Sequence, residues 1–190
     1  MELLSATGLE VIFRWIHVLA GVTWIGVLYY FNFIQTPFFG SELGGTAKGP
    51  MTRGLVPNAL WWFRWGAMFT FLSGWTIVAY RLFHLGVPLT DGYMTKVLTG
   101  GLMGTFMWYN VWFVIWPAQQ VVIANAEQVA GGGDPIPEAA ARGAKAGMAS
   151  RTNTLFSIPM LFFMISAANL PGFLSGTNDM AYWLVAGTVI

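Results

Sequence analysis

The stretch that decides the fold is residues 15–40, WIHVLAGVTWIGVLYYFNFIQTPFFG, which contains no charged side chain. A bilayer crossing needs about 20 consecutive, mostly apolar residues, so this stretch can supply one membrane span. Three further uncharged stretches follow it along the chain, at residues 65–80, 97–126 and 152–178. With their flanking residues, each can supply one more span, and the sequence therefore predicts a membrane protein.

The composition agrees with this distribution. Hydrophobic residues make up 56% of the chain and charged residues 9%, with a mean hydropathy of +0.60. A soluble domain carries roughly a quarter of its residues as charges. The net charge of +1 leaves no electrostatic footprint for nucleic acid. The chain has no cysteine, which excludes disulfides, iron–sulfur clusters and a covalently attached c-type heme.

We therefore predict an all-α, polytopic bundle of transmembrane helices, with four full spans and the start of a fifth. The four spans are expected at about residues 10–36, 59–84, 96–126 and 151–170, and the partial fifth at 181–190. Ten residues cannot cross a bilayer, so we expect the last run to continue in a longer protein.

The connections between the spans follow from proline and glycine. Pro37 and the glycine-rich stretch 40–54 are expected to end the first span and form a loop, and Pro117 is expected to kink the third span or mark the membrane boundary. Residues 127–150 are expected to be a cytoplasmic loop. Within it, a flexible break at 131–137 precedes a short, polar, alanine-rich helix at 138–145.

The distribution of basic residues predicts the orientation. The two connections on one side and their flanks hold six basic residues, Lys48, Arg53, Arg64, Arg142, Lys145 and Arg151. The opposite side holds three, Arg14, Arg81 and Lys96. Because basic residues concentrate on the cytoplasmic side, we predict a multi-pass protein of the bacterial inner (cytoplasmic) membrane with a periplasmic N-terminus.

One face of the first span carries the candidate site. Spacings of three and four residues place Arg14, His17, Gly21 and Trp24 along one side of a helix. An ionisable side chain within a span is costly and usually faces protein or a cavity. A histidine with a glycine one turn away suits a heme, so one interpretation is that His17 is the axial ligand of a b-type heme iron in a pocket with Arg14, Gly21 and Trp24. The alternative is a histidine that hydrogen-bonds a neighbouring helix.

Other patterns are less specific for function. His84 lies at the end of the second span on the same side as His17, so a bis-histidine heme is a further alternative. Trp108, Trp112 and Trp116 form a stripe that is expected to pack on neighbouring helices rather than to line a pigment, quinone or heme pocket. Glycine and threonine stripes on the second and third spans are expected to allow close helix approach.

Four segments resemble the membrane domain of PuuD-type urate hydroxylases, also called the urate oxidase N-terminal domain. They are HVLAGVTWIGVLYYFNF at 17–33, ALWWFRWG at 59–66, NVWFVIWPAQQ at 110–120 and RTNTLFSIPMLFFM at 151–164. A weaker likeness, limited to the pattern of His17, Gly21, Trp24 and Gly26, is to membrane protoporphyrinogen oxidases. The main resemblance implies a membrane-embedded oxidoreductase that passes electrons to a periplasmic cytochrome c domain.

Two functions therefore remain open. The absence of a cytochrome c motif and of carboxylates in mid-span favours an accessory subunit of a larger membrane electron-transfer complex, respiratory or photosynthetic, whose partners are the lipid bilayer, other subunits and pigments or quinone. The alternative is an oxidoreductase domain that binds heme through His17 and passes electrons to a periplasmic cytochrome c. A transporter is less favoured because no interrupted span or intramembrane charge pair is visible.

Overall fold

The computed structural model describes residues 5–173, and this part of the chain is built from helices with no strand. The predicted partial span at 181–190 lies outside the described residues. The α-helices are α1 (Ala6–Tyr29), α2 (Thr36–Phe39), α3 (Glu42–Gly54), α4 (Val56–Ala79), α5 (Gly92–Tyr109), α6 (Trp116–Ala130) and α7 (Ala139–Asn169). Three π-helical segments continue α1, α4 and α5, at Tyr30–Gln35, Tyr80–His84 and Asn110–Ile115.

The first long helix is longer than the predicted span at 10–36. It begins after Ser5, whose side chain accepts a hydrogen bond from the backbone N–H of Gly8, and it continues through the π-helical segment into α2. Pro37 does not end it, contrary to the prediction. Because the turn before the proline is π-helical, the N–H of Thr36 bonds to the carbonyl of Phe31 five residues back, and the wider turn accommodates the proline ring.

The predicted glycine-rich loop at 40–54 is wrong, because this stretch folds as α3. Ser41 caps α3 by accepting a hydrogen bond from the backbone N–H of Gly44. Gly44 lies directly on the chain that precedes it, since a Cβ atom there would be 1.7 Å from the carbonyl oxygen of Phe38. The glycine therefore allows the tight reversal from α2 into α3, and the cap supplies the start signal for a helix of low intrinsic propensity.

The second and third long helices agree with the predicted spans in position. The second begins at Val56 instead of 59 and ends with the π-helical turn at His84, as predicted. The third runs from Gly92, capped by the side chain of Asp91, to Ala130 instead of from 96 to 126. Pro117 follows a π-helical segment, as Pro37 does, and does not end the helix.

The fourth long helix joins two predicted elements. The expected short helix at 138–145 and the span at 151–170 form one continuous helix, α7, of 31 residues. The alanine-rich start has high helix propensity, and the two isolated glycines in it, Gly143 and Gly147, do not interrupt the helix. The connection between α6 and α7 is therefore shorter than the predicted loop at 127–150, and it turns at Gly132, whose φ of +82° suits glycine.

The long helices form an antiparallel bundle. Its upper end is where α1 and α5 begin and α7 ends; its lower end is where α3 lies against α4 and α6. Helix α1 packs on α4 through Gly66, where a Cβ atom would be 3.1 Å from the backbone nitrogen of Trp24. Helix α5 packs on α7 through Gly100, where a Cβ atom would be 3.2 Å from the carbonyl oxygen of Met160. Small residues thus set the close helix contacts, as predicted.

A polar seam connects α7 to its neighbours in the lower half of the bundle. The amide of Asn153, fully buried, donates to the carbonyl of Met107, and its oxygen accepts from Asn110 at 2.9 Å. Tyr29 and Ser157 bond at 2.8 Å. Since buried polar groups cost free energy unless they are paired, these contacts fix the register of α7 against α1 and α5.

Within residues 5–173, one helix is by itself long and apolar enough to cross a membrane. It is the continuous helix Thr7–Phe39, of 33 residues, with a hydropathy of 1.8 over its most apolar window. The other long helices carry tryptophan, glycine and polar residues that lower their hydropathy. The fold class is therefore an all-helical bundle with one helix of this kind, and the four-span arrangement stays a prediction.

Candidate functional site

The imidazole of His17 is held on α4 by three neighbours. Its Nδ1 lies 2.9 Å from the carbonyl oxygen of Thr70 and 3.2 Å from Oγ of Ser73. A carbonyl oxygen can only accept, so Nδ1 carries the proton and donates it to Thr70. Gly74 lies against the same edge of the ring, where an added Cβ atom would be 2.9 Å from Cε1 and 3.2 Å from Nδ1. The position of the ring is therefore fixed by the backbone of α4.

This arrangement decides what the second ring nitrogen can do. With the proton on Nδ1, a neutral ring has its lone pair on Nε2, the form that binds a metal or accepts a proton. Among the described residues, none is within hydrogen-bonding distance of Nε2. The sequence left open whether His17 is a ligand or bonds a neighbouring helix. The structure makes the helix contact through Nδ1 and leaves Nε2 available, so the two alternatives are compatible.

His17 lines a cavity of about 720 Å³ between α1, α4, α5 and α7. Cavities of roughly 300–1,000 Å³ accommodate small-molecule ligands and cofactors. Most of the wall is apolar, and the glycines Gly101 and Gly104 of α5 leave open space, since a Cβ atom added at either would have no other atom within 4 Å. Two methionines of α7, Met160 and Met164, contribute thioether groups to the wall.

All four residues of the predicted heme pocket line this cavity. Arg14 lies at its upper end, His17 one turn below, Gly21 opposite Thr70, and Trp24 farther down. Trp24 is 2% exposed and mostly belongs to the contact between α1 and α4. The helical spacing read from the sequence therefore brings the four residues to one wall; whether they bind heme is a separate question.

Ion pairs lie beside Arg14 at the upper end of the cavity. One oxygen of Glu10, Oε1, accepts from Nη2 of Arg14 at 2.6 Å and from Nε of Arg81 at 3.0 Å. The guanidinium of Arg81 also lies 4.2 Å from the ring centroid of Tyr93, which lines the cavity. Among the described residues, this ion-pair cluster combines two guanidinium groups with one carboxylate.

Two other predicted features lie outside the cavity. His84 stacks on Tyr80, with ring centroids 4.9 Å apart, and does not reach the wall that holds His17. The tryptophan stripe faces α4, as expected for packing: Trp108 stacks on Phe71 at 4.3 Å, and Trp116 lies 3.3 Å from the guanidinium carbon of Arg64.

Sequence reasoning missed the residues of α4 that hold His17. The spacing of Gly66, Thr70 and Gly74 predicts only a packing stripe, and Ser73 has no distinguishing pattern. These contacts cannot be recognised from the sequence, because the acceptor that Thr70 provides is its backbone carbonyl, and every residue has one. Glu10 and Arg81 were also missed as partners of Arg14, since 71 positions separate Glu10 from Arg81 in sequence.

The fold and the cavity define the chain as a helical bundle with a ligand-sized, mostly apolar cavity between its long helices. Residues 89–190, more than half of the chain, match the family described as urate oxidase N-terminal, so the chain belongs to this family. This confirms the main resemblance, while the weaker likeness to protoporphyrinogen oxidases has no support in the comparisons. No curated protein and no solved structure matches the chain significantly. The matched range begins after α4, so the family membership assigns no role to His17.

Proposed function

We propose that the chain is the membrane domain of an oxidoreductase and that it binds a b-type heme through His17. The observation that carries the proposal is the bond from Nδ1 of His17 to the carbonyl of Thr70, on the wall of the cavity. Axial histidines of metal centres usually donate their second ring N–H to a carbonyl or carboxylate, which fixes the ring and raises its basicity as a ligand. His17 has this geometry.

The volume of the cavity and the chemistry of its wall support the proposal of a heme. A largely apolar wall excludes water from a macrocycle, and Gly101 and Gly104 offer flat surface without side chains. His17 would supply the nitrogen that binds the iron. Met160 and Met164 would pack against the macrocycle from α7. A bound heme would supply one-electron transfer. The protein's part is to hold the ring of His17, exclude water and orient the cofactor.

Placement in a membrane rests on the outward faces of the long helices. Each of them exposes large apolar side chains where a soluble bundle would be polar. These are Trp15 and Leu19 on α1, Phe69 and Leu72 on α4, Phe106 on α5, and Leu155, Ile158 and Phe162 on α7. Lipid is the solvent in which such faces are stable. We infer four spans in the bacterial inner membrane, with the upper end, and so the N-terminus, on the periplasmic side.

The test uses the whole chain in detergent, titrated with hemin and followed by the Soret band. The expected result is a stoichiometric complex in the unmodified protein, loss of the band in His17→Ala, and an unchanged band in the matched control His84→Ala. Added imidazole should restore the band in His17→Gly, because it can occupy the space of the missing side chain. Equal hemin binding by His17→Ala and the unmodified protein would refute the proposal.

The outer surface of α4 favours a second role, as an accessory subunit of a larger respiratory or photosynthetic complex. Trp61, Trp62, Trp65 and Phe69 form a continuous aromatic ladder along this surface, with neighbouring rings 4.9 to 6.4 Å apart, and all four are exposed. Aromatic residues are enriched at protein interfaces, and partner helices, pigments or a quinone would cover the ladder.

Native gel electrophoresis of mildly solubilised membranes tests this second role. Co-migration of the chain with a larger complex is expected, and replacement of Trp61 and Trp62 by leucine should release it. A chain that migrates alone with intact heme would count against the accessory role and leave the oxidoreductase proposal standing.

A further inference from the structure

A cluster of four side chains lies at the upper end of the His17 cavity: Arg14 and Tyr93 line the cavity, and Glu10 and Arg81 contact them from behind. Oε1 of Glu10 receives Nη2 of Arg14 at 2.6 Å, and it also receives Nε and Nη2 of Arg81 at 3.0 and 2.9 Å. The face of Tyr93 supports the guanidinium of Arg81. A single carboxylate oxygen thus positions two arginines side by side.

The charges in this cluster do not balance. Two guanidinium groups meet one carboxylate, and each guanidinium has more N–H donors than these contacts use. The side chains of Glu10 and Arg81 are 14% and 21% exposed, so water screens them only in part, whereas the side chain of Arg14 is 47% exposed. An unbalanced positive charge at the edge of an apolar cavity favours an anion, and planar guanidinium groups match carboxylates in particular.

The position of the cluster relates it to His17. Arg14 is three residues before His17 on α1, so the two side chains lie on the same face about one helical turn apart. Arg14 and Tyr93 both line the cavity, and the rest of its wall is mostly apolar. The cavity is therefore asymmetric. It offers a metal-binding nitrogen and an apolar body, with cationic donors at one end only.

We propose that Arg14 and Arg81 form a carboxylate clamp that binds the acidic side chains of the cofactor and so fixes its orientation. The proposal rests on the proposed function, because the ligand it describes is a tetrapyrrole whose iron binds His17. Such a ligand has an apolar macrocycle with carboxylates on one edge. The clamp holds that edge at the upper end of the bundle, and Glu10 keeps both arginines in place.

The experiment compares two probes that differ only in these carboxylates: hemin and hemin dimethyl ester. Both are titrated against the full chain in detergent, and the dissociation constants are compared. The unmodified protein should bind hemin about tenfold or more tightly than the ester. Arg14→Gln and Arg81→Gln should each weaken hemin binding about tenfold and leave ester binding unchanged. The Arg14→Lys and Arg81→Lys variants keep the charge and should retain part of the preference for hemin.

Binding of the ester doubles as the folding control, because it needs an intact cavity and His17 but no clamp. Arg64→Gln, at the opposite end of the bundle, is the matched control and should leave the preference for hemin unchanged. Equal affinities for the two probes, combined with a Soret band that depends on His17, would overturn the clamp alone. If neither probe binds, or if binding does not depend on His17, both the clamp and the heme proposal fail.

Discussion

Gly74→Ala should disturb the site without unfolding the bundle. The added methyl group would lie 2.9 Å from Cε1 and 3.2 Å from Nδ1 of His17, whereas ordinary contacts begin near 3.4 Å. The ring must retreat from α4 by at least about 0.5 Å. Because Thr70 is also on α4, the same movement lengthens the hydrogen bond between Nδ1 of His17 and the carbonyl oxygen of Thr70. Its length increases from 2.9 Å towards the longest distance at which such a bond forms.

The magnitudes separate binding from stability. Loss of one hydrogen bond costs about 1 kcal/mol, and replacing glycine by alanine within a helix returns roughly 0.5–1 kcal/mol. The free energy of unfolding should therefore change little. Loss of an outer-shell contact to a metal ligand typically lowers metal affinity about 10–100-fold, so we expect hemin binding to weaken by that factor.

The assay combines hemin titration with thermal unfolding followed by circular dichroism. Gly49→Ala is the matched control, because Gly49 is helical, exposed and has no atom within 4 Å of an added Cβ. Ser73→Ala removes the more distant partner of Nδ1 without a clash, so its effect should be smaller. Unchanged hemin affinity in Gly74→Ala, with binding still dependent on His17, would refute the conclusion that the backbone of α4 fixes the position of the His17 imidazole.

Three further substitutions test the bundle itself. Gly66→Ala places a methyl group 3.1–3.3 Å from the backbone of α1, which cannot move without disturbing the helix. The substitution should therefore lower the free energy of unfolding by about 1–3 kcal/mol. A higher melting temperature would contradict this. Asn153→Ala leaves Asn110 without its partner and should cost about 1–3 kcal/mol in denaturant unfolding, whereas a neutral result would show that the polar seam is not structural. Lys96→Met removes two hydrogen bonds to carbonyls at the end of α7, of 2.7 and 2.9 Å, so limited proteolysis should cut faster near residue 171; an unchanged cleavage pattern would exclude this anchoring role.

The sequence predicted the long helices well where hydrophobic content decides them. The end of the second long helix at His84 and the continuation of the third helix beyond Pro117 follow from apolar length. The prediction is wrong at residues 40–54, because the cap at Ser41 starts a helix there despite the glycine content of the stretch. It also failed to join 138–145 with 151–170, since a polar start does not prevent a helix that an apolar second half stabilises by packing.

The site was predictable on one helix only. Spacing along α1 placed Arg14 and His17 on one wall, because periodicity within a helix is fixed by its geometry. The spacing could not reveal the partners on α4, because these depend on the axial register between α1 and α4. Gly66 sets that register through its contact with the backbone of α1. Contacts between residues on different helices leave no pattern in the spacing of a single sequence.

The two π-helical segments before Pro37 and Pro117 also affect how the chain tolerates insertions and deletions. Each segment begins seven residues before its proline and ends two before it, at Tyr30–Gln35 and Asn110–Ile115. A wider turn holds an extra residue without breaking the helix, so deletion of one residue there would restore an ordinary α-helical turn. The proline would then lie inside regular helix and bend it. A one-residue deletion in either segment should therefore be tolerated only if the following proline is also replaced. A deletion within α4 shifts the register of every later residue of that helix, and no proline replacement can correct this, so it should prevent folding.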